Sequence, residues 1–195
     1  ADDGPLAVLK CRTVWPVVLM DGDGRTYTIK PTDLPSGKGD GVPVSSLADL
    51  AGKKLVAVLT GEPGSRFLVA SDSGYGFVCA IEDMVSRQRA GKAFLNTDGG
   101  TALPPVKLLP TDRWVVAQGG DRLLAFPLEE MKTLSGGKGV KIMTLPEGES
   151  LALLTLFREK LALPVAGSRG RAKTLNIDEN ALMAWRGVRA TKGRK

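Results

Sequence analysis

The sequence predicts an all-β fold built from propeller-like blades, and three observations carry that reading. A unit of turn, alternating strand, acidic residue and glycine-plus-basic loop occurs four times. The copies read DGRTYTIKPTD ending at Asp33, DSGYGFVCAIED ending at Asp83, GGDRLLAFPLEE ending at Glu130 and SRGRAKTLNIDE ending at Glu179. These acidic ends lie 50, 47 and 49 residues apart. That period holds the four short strands of a blade, which must stack on a neighbour to bury its apolar face. Apolar residues also alternate with period two on both sides of each turn, as half-buried strands require. A chain of 195 residues can bury a core as one unit. Residues 1–189 are therefore expected to form a single domain with about four visible blades, and the basic end 190–195 a mobile tail. The opening ADDGPLAV lacks an initiator methionine and reads as a cut inside a larger protein, so these blades are expected to be a fragment of a larger ring.

The elements follow in order. Residues 14–20 are β-branched and interrupted by Pro16, as an edge strand would be. The turn Asp21-Gly22-Asp23-Gly24 leads into alternating residues 25–29. The same sequence of events is expected at 67–70, the turn 71–74 and 75–81, then at 114–117, the turn 118–121 and 122–128. The last copy is 161–166, the turn 167–170 and 171–177. Each blade is thus expected to pair a central apolar strand with a half-exposed return strand. The loops after the acidic residues lead into further short strands at 93–96 and 140–145. Leu151, Leu154 and Leu161 fall near helical spacing, but their place in the repeat predicts strands joined by Arg158-Glu159-Lys160. The Pro- and Gly-rich pieces at 61–65 and 99–105 read as connectors.

Composition narrows the chemistry. The formal net charge is +6, and residues 158–195 hold ten Lys and Arg against Glu159, Asp178 and Glu179. The rest of the chain is close to neutral, so an anionic partner would meet the last repeat; a solubilising surface is the alternative. The chain contains no histidine, which removes histidine-dependent triads, the commonest general base and most zinc or copper sites. Cys11 and Cys79 fit neither a metal pattern nor a disulfide framework, and Cys79 sits in an apolar strand as an inert thiol. No apolar run approaches the roughly 18 residues of a membrane span and no leader is visible, so a cytoplasmic, reducing location is expected.

Several motifs resemble reactive sites and are better read structurally. Asp21-Gly22-Asp23-Gly24 starts like a calcium loop but lacks the later acidic positions, which leaves a hairpin turn. Gly91-Lys92 and Gly137-Lys138-Gly139 lack the Ser or Thr and the leading glycine of a phosphate loop. Glu82-Asp83 and Glu129-Glu130 recur at one repeat position, which suits a strand-end contact more than a carboxylate dyad. Trp15, Trp114 and Trp185 are expected to pack between blades. No catalytic constellation emerges. The glycine-basic loops differ from these, because each repeat supplies one: Ser36-Gly37-Lys38-Gly39, residues 87–92, residues 135–139 and Trp185-Arg186-Gly187-Val188-Arg189. Equivalent loops of a radial array line one rim, where backbone N–H groups and cations can meet phosphates without reading bases, and a curved rim suits bent DNA. Repeats and charge leave two readings open, a duplex-wrapping rim and a protein-docking propeller.

The wording of the repeats adds a resemblance. Residues 68–79 and Arg87-Gln88-Arg89-Ala90-Gly91-Lys92, with Gly24-Arg25-Thr26-Tyr27, Leu34-Pro35-Ser36 and residues 134–139, resemble in order the C-terminal domain of the bacterial topoisomerase IV A subunit. The likeness runs from about residue 16 to residue 189. It implies a β-pinwheel, whose blades exchange a strand with their neighbours, and an outer rim that binds duplex DNA. It further implies a non-catalytic part of a nucleoid-associated bacterial enzyme, presenting a transported segment and tuning preference among crossings and supercoil signs. The partners would be the catalytic core of the same polypeptide and the ATPase subunit, with ATP and magnesium held elsewhere and no cofactor here; the isolated domain would be a monomer. The candidate contacts to duplex DNA are Lys38, Arg87, Arg89, Lys92, Lys138, Lys141, Arg186 and Arg189 in or beside the loops, and Arg25, Arg122, Arg169 and Arg171 near the turns. The related gyrase domain carries a Gln-Arg-Arg-Gly-Gly-Lys-Gly box. Gln88-Arg89-Ala90-Gly91-Lys92-Ala93 departs from it by one basic residue and two glycines, which favours topoisomerase IV and weaker wrapping, with the gyrase A C-terminal domain as the alternative. Tyr27 and Tyr75 are given no covalent role.

Overall fold

The computed structural model describes residues 7–37, 39–166 and 172–195. Each hairpin starts from a turn whose sequence enforces it. In the first, Asp21 accepts the N–H groups of Asp23 and Arg25 at 3.0 Å each, while Gly24 takes φ +79°. Strands β1 (Val17–Asp21) and β2 (Arg25–Ile29) flank this turn and pair antiparallel, Val17 opposite Ile29 and Met20 opposite Thr26. β3 (Leu55–Thr60) adds to the outer side of β1. The second hairpin is β4 (Arg66–Ala70) and β5 (Tyr75–Ala80), the third β8 (Trp114–Gly119) and β9 (Arg122–Pro127), and the fourth β12 (Lys160–Ala166) and β13 (Ala172–Asp178). β7 (Val106–Lys107) and β11 (Leu151–Leu156) repeat the part of β3 in blades two and three. The expected strands at 151–163 are present, and Glu159 turns the chain between them at φ +63°.

The remaining strands cross between blades. β6 (Lys92–Ala93) follows the second hairpin yet pairs with β2 of the first. β10 (Val140–Lys141) follows the third hairpin yet pairs with β5 of the second. After the fourth hairpin the chain returns to blade three, through bridges between Ala125 and Arg186 and between Leu123 and Arg194. The sheet orders are therefore β3-β1-β2-β6, β10-β5-β4-β7, β11-β8-β9 and β12-β13. These exchanged strands are two residues long rather than the 93–96 and 140–145 expected, because the chain leaves the return strand to pair with the next exchanged segment. Asn96 N–H donates to Gly137 O at 2.9 Å, and Thr144 N–H to Thr191 O at 2.9 Å. Residues 190–195, expected as a mobile tail, lie along blade three. Leu123 and Arg194 exchange both main-chain hydrogen bonds, at 2.8 and 2.9 Å, and Lys195 pairs with Asp121 at 2.7 Å.

The strand period of two sends alternate residues into successive inter-blade cores. Val18 and Met20 meet Phe67, Val69, Phe77 and Cys79 between blades one and two. Leu68, Ala70 and Val78 meet Val115, Ala117, Leu124 and Phe126 between blades two and three. Val116, Leu123 and Ala125 meet Leu163, Ile177 and Leu182 between blades three and four. The return strands of blades two and three are accordingly not half-exposed as expected: Gly76–Cys79 and Leu123–Phe126 are buried on both faces, since a blade between two others has no solvent side. β13 keeps the expected alternation, with Thr174, Asn176 and Asp178 exposed and Ile177 buried. At about 1.5–3 kcal/mol for each fully buried large apolar side chain, stacking supplies far more stability than any one hairpin. The outer face of blade one, Val17, Leu19, Tyr27 and Ile29, is covered by Ala48, Leu47 and Leu50 at and after the short helix α1 (Val44–Leu47). Among the described residues no apolar cluster spans blades one and four.

Each return strand ends in a single helical turn: Pro31–Asp33, α2 (Ile81–Met84), Leu128–Glu130 and α3 (Glu179–Leu182). Two of the four repeated acidic residues hold main-chain N–H groups, Asp83 at its own strand end and Glu130 in the distant last segment, while in the fourth repeat the preceding residue, Asp178, does so. Asp83 accepts the N–H of Ala80 at 2.9 Å, Glu130 that of Arg189 at 2.7 Å, and Asp178 that of Ala181 at 2.8 Å. Trp114 and Trp185 pack against the core between blades three and four. Among the described residues no helix is long and apolar enough to cross a membrane.

Candidate nucleic-acid interface

The exchanged segments form one connected edge across three blades. Each is seated by a glycine whose absent Cβ lets it lie on the return strand of the blade it joins. Gly91 has φ +66° and a Cβ there would stand 2.3 Å from Thr26 O; Gly139 has φ +84° and would meet Gly76 O at 2.2 Å. In the last segment the counterpart is Gly193, at φ +69° and 2.7 Å from Leu123 O, outside the expected glycine-basic loop 185–189. The sequence does contain the signal, since Lys138-Gly139-Val140-Lys141 and Lys192-Gly193-Arg194-Lys195 share their spacing. It was hidden by the glycine two residues after Trp185, whose N–H instead donates to Ala125 O at 2.8 Å.

The first residue of the return strand fastens the incoming segment in blades one to three. Arg25 donates from Nε to Ala90 O at 2.6 Å and from Nη2 to Gly91 O at 3.2 Å. Arg122 donates to Gly193 O at 3.3 Å. Tyr75 holds the equivalent place in blade two, with the Lys138 ammonium 4.0 Å and the Lys141 ammonium 5.9 Å from its ring centroid. Lys138 also pairs with Asp98 at 2.7 Å, and that hydrogen bond raises its pKa above the ordinary lysine value. Asp98 and Tyr75 thus belong to this junction although sequence reasoning assigned them no part in it.

The other candidates divide by what their side chains already touch. Arg189 donates to Glu130 O at 2.9 Å and Lys141 O at 2.6 Å, clamping the last segment onto blade three's helical turn and β10. Lys92 donates to Asp83 O. Arg89 is exposed and donates one N–H to Ser46 O at 2.6 Å. Arg186 is exposed with its guanidinium 5.2 Å from the Trp114 ring centroid. Arg87 and Lys141 are exposed. Lys38, Arg169 and Arg171 lie outside the described residues. The edge thus brings together candidates from three repeats, some fixing loops and others facing solvent.

Two groups with nucleophilic potential, Cys79 and Tyr27, are occupied elsewhere, while Cys11 is a free, exposed thiol. Burial pushes the Cys79 thiol up to about 12, and its Sγ lies 3.7 Å from Phe67 O. Burial and the hydrogen bond to Asp21, at 2.8 Å, raise Tyr27 to about 12. Among the described residues no group of three His, Cys, Asp or Glu could hold a metal ion.

Stacked hairpins, exchanged edge strands and glycine-seated basic segments define a β-pinwheel domain. No family model matches the sequence. The A subunit of DNA topoisomerase 4 from Neisseria gonorrhoeae is 41% identical over 173 residues, covering 84% of this chain and 22% of that protein. The chain spans about a quarter of the length of the curated relatives it matches, 27% for the Escherichia coli (strain K12) protein, which is 38% identical over 201 residues. Among solved structures, the E. coli ParC C-terminal domain matches with a TM-score of 0.86 and 32% identity, over 95% of this chain and 78% of that one. The chain belongs to the family of C-terminal domains of the topoisomerase IV A subunit.

Proposed function

We propose that this domain binds duplex DNA along the exchanged edge, as a non-catalytic part of an ATP-dependent type IIA topoisomerase. The observation that carries the reading is the connection of three glycine-seated segments into one edge with cations facing solvent on each. Lys92, Lys138, Lys141, Arg87, Arg89 and Arg186 would neutralise phosphates, while Arg25, Arg122 and Arg189 hold the loops that present them. Lys38, Arg169 and Arg171 remain proposed contacts on sequence grounds. Phosphate contacts of this kind position a duplex without selecting its sequence, and a curved edge exchanges elastic cost for additional contacts. In the complete enzyme such an edge would present the transported segment to the catalytic core of the same polypeptide and bias the choice of crossings and supercoil sign. ATP and magnesium would act in parts outside this chain.

The test is titration of the chain into a fluorescent duplex of about 40 base pairs at several salt concentrations, where each phosphate contact contributes about −0.9 to the log–log slope. A slope corresponding to several contacts supports the proposal. No binding at low salt would sink it, and would favour a protein partner instead.

A further inference from the structure

The strongest unassigned feature is the basic end of the chain. Gly193 repeats the conformation and backbone approach of Gly91 and Gly139, so the residues around all three can be matched by register. Lys92 pairs with Thr26, Val140 with Gly76, and Arg194 with Leu123. The residue before each glycine is then Ala90, Lys138 or Lys192, and the residue after each paired position is Ala93, Lys141 or Lys195. Within this four-residue window the first segment carries one cation, the second two and the third three.

We propose that Lys192, Arg194 and Lys195 form a third phosphate-contact point for duplex DNA, and the most strongly charged of the three. The inference rests on the DNA-binding reading above and extends it past the loop at 185–189. All three side chains belong to exposed residues. Arg194 spends one N–H on Ala184 O at 3.0 Å, and Lys195 pairs with Asp121 at 2.7 Å across two well-exposed side chains. Such a surface pair holds its lysine weakly, so a phosphate can displace the carboxylate.

The segment is seated by groups other than these side chains. Its main chain is held by Leu123, by Ala190 N–H donating to Ile142 O at 2.8 Å, and by Thr144 N–H donating to Thr191 O at 2.9 Å. Arg122 adds its bond to Gly193 O at 3.3 Å. Charge can therefore be removed while the strand remains in place, which makes the three cations a clean target.

The experiment compares the 195-residue chain with K192Q/R194Q/K195Q and with K10Q/K30Q/K54Q, which removes equal charge from residues outside the exchanged segments. Each is titrated into the same duplex across a salt series, with thermal melts to show that folding is retained. The edge variant is expected to lower the magnitude of the log–log slope by about 2 to 3 and to weaken binding at least about tenfold, with the control changing the slope by less than about 1. An unchanged slope for the edge variant, or equal losses in both variants, overturns the inference while leaving the DNA-binding reading intact. Failure of the unaltered chain to bind duplex overturns that reading itself.

Discussion

The junctions of blades one and two solve the same problem with opposite chemistry. At the first, the return strand supplies the cation: Arg25 reaches the carbonyls of Ala90 and Gly91 in the incoming segment. At the second, the return strand supplies an aromatic face, Tyr75, and the incoming segment supplies the cations Lys138 and Lys141. Both fasten an exchanged strand, but they leave different surfaces. A guanidinium bound to two carbonyls is fixed by the fold, whereas ammonium groups over a half-buried ring keep N–H groups for an outside anion. Equivalent positions in a repeat therefore share a structural task without sharing a binding task.

The largest effect should come from what the junctions have in common. G91A or G139A places a Cβ within 2.3 Å of a carbonyl oxygen at a positive φ. Either should cost about 2–4 kcal/mol, read from the urea midpoint, because neither the strand nor the carbonyl can move without breaking the pairing. A loss below about 1 kcal/mol at either site would show that the exchanged strand is not held as described.

R25A should cost about 1–2 kcal/mol by leaving two carbonyls without their donor. It should reduce duplex affinity less than K138Q/K141Q, which removes the solvent-facing cations of the second junction. The reverse order of affinities would break the distinction between fixing and binding cations.

Alkaline pH separates blade one's turn from its junction. The folded pKa of Tyr27 is raised to about 12 by burial and by Asp21, from an ordinary value of 10.0. The neutral phenol's contribution is complete below pH 10, falls as the unfolded state ionises, and is gone above about 12. Chemical melts should show this loss between those limits, and Y27F should have a shallower pH dependence there. Cys79, raised to about 12 from 9.0 by burial, adds a loss of the same sign that persists in Y27F. The Arg25 contacts should be unaffected over that interval, since a guanidinium stays protonated.

The smallest effect should come from Y75L. It removes the ring beneath Lys138 but leaves the Asp98 pair and the Gly139 contact, so the midpoint should fall by less than in R25A. A larger fall than R25A would mean that the aromatic face, not the main chain, holds the second junction.

Much of the fold was legible in sequence because its signals are local. The turn at 21–24, the alternation in 75–80 and Asp83 at its own strand end all act within a dozen positions. The solvent exposure of the return strands in blades two and three was misjudged because alternation alone does not say what covers the second face; there the next blade does, while β13 is half-exposed as its alternation predicts. The third strands β3 and β7 went unread, since their partners lie far along the chain, whereas β11 was legible from its place in the repeat. The candidate site was legible as a set of cations but not as a division of labour. Arg25 and Arg87 look alike in the sequence, yet one donates to two carbonyls and the other faces solvent.

Short-range pattern and composition were enough to specify an all-β repeat, its period, its hairpin turns and the resemblance to a known domain. Three further outcomes waited on the folded arrangement: which glycines seat the exchanged strands, which cations are held by carbonyls, and that the basic end belongs to blade three. Each depends on which distant carbonyl or ring a side chain meets, and strand exchange sets those meetings between residues as far apart as Leu123 and Arg194.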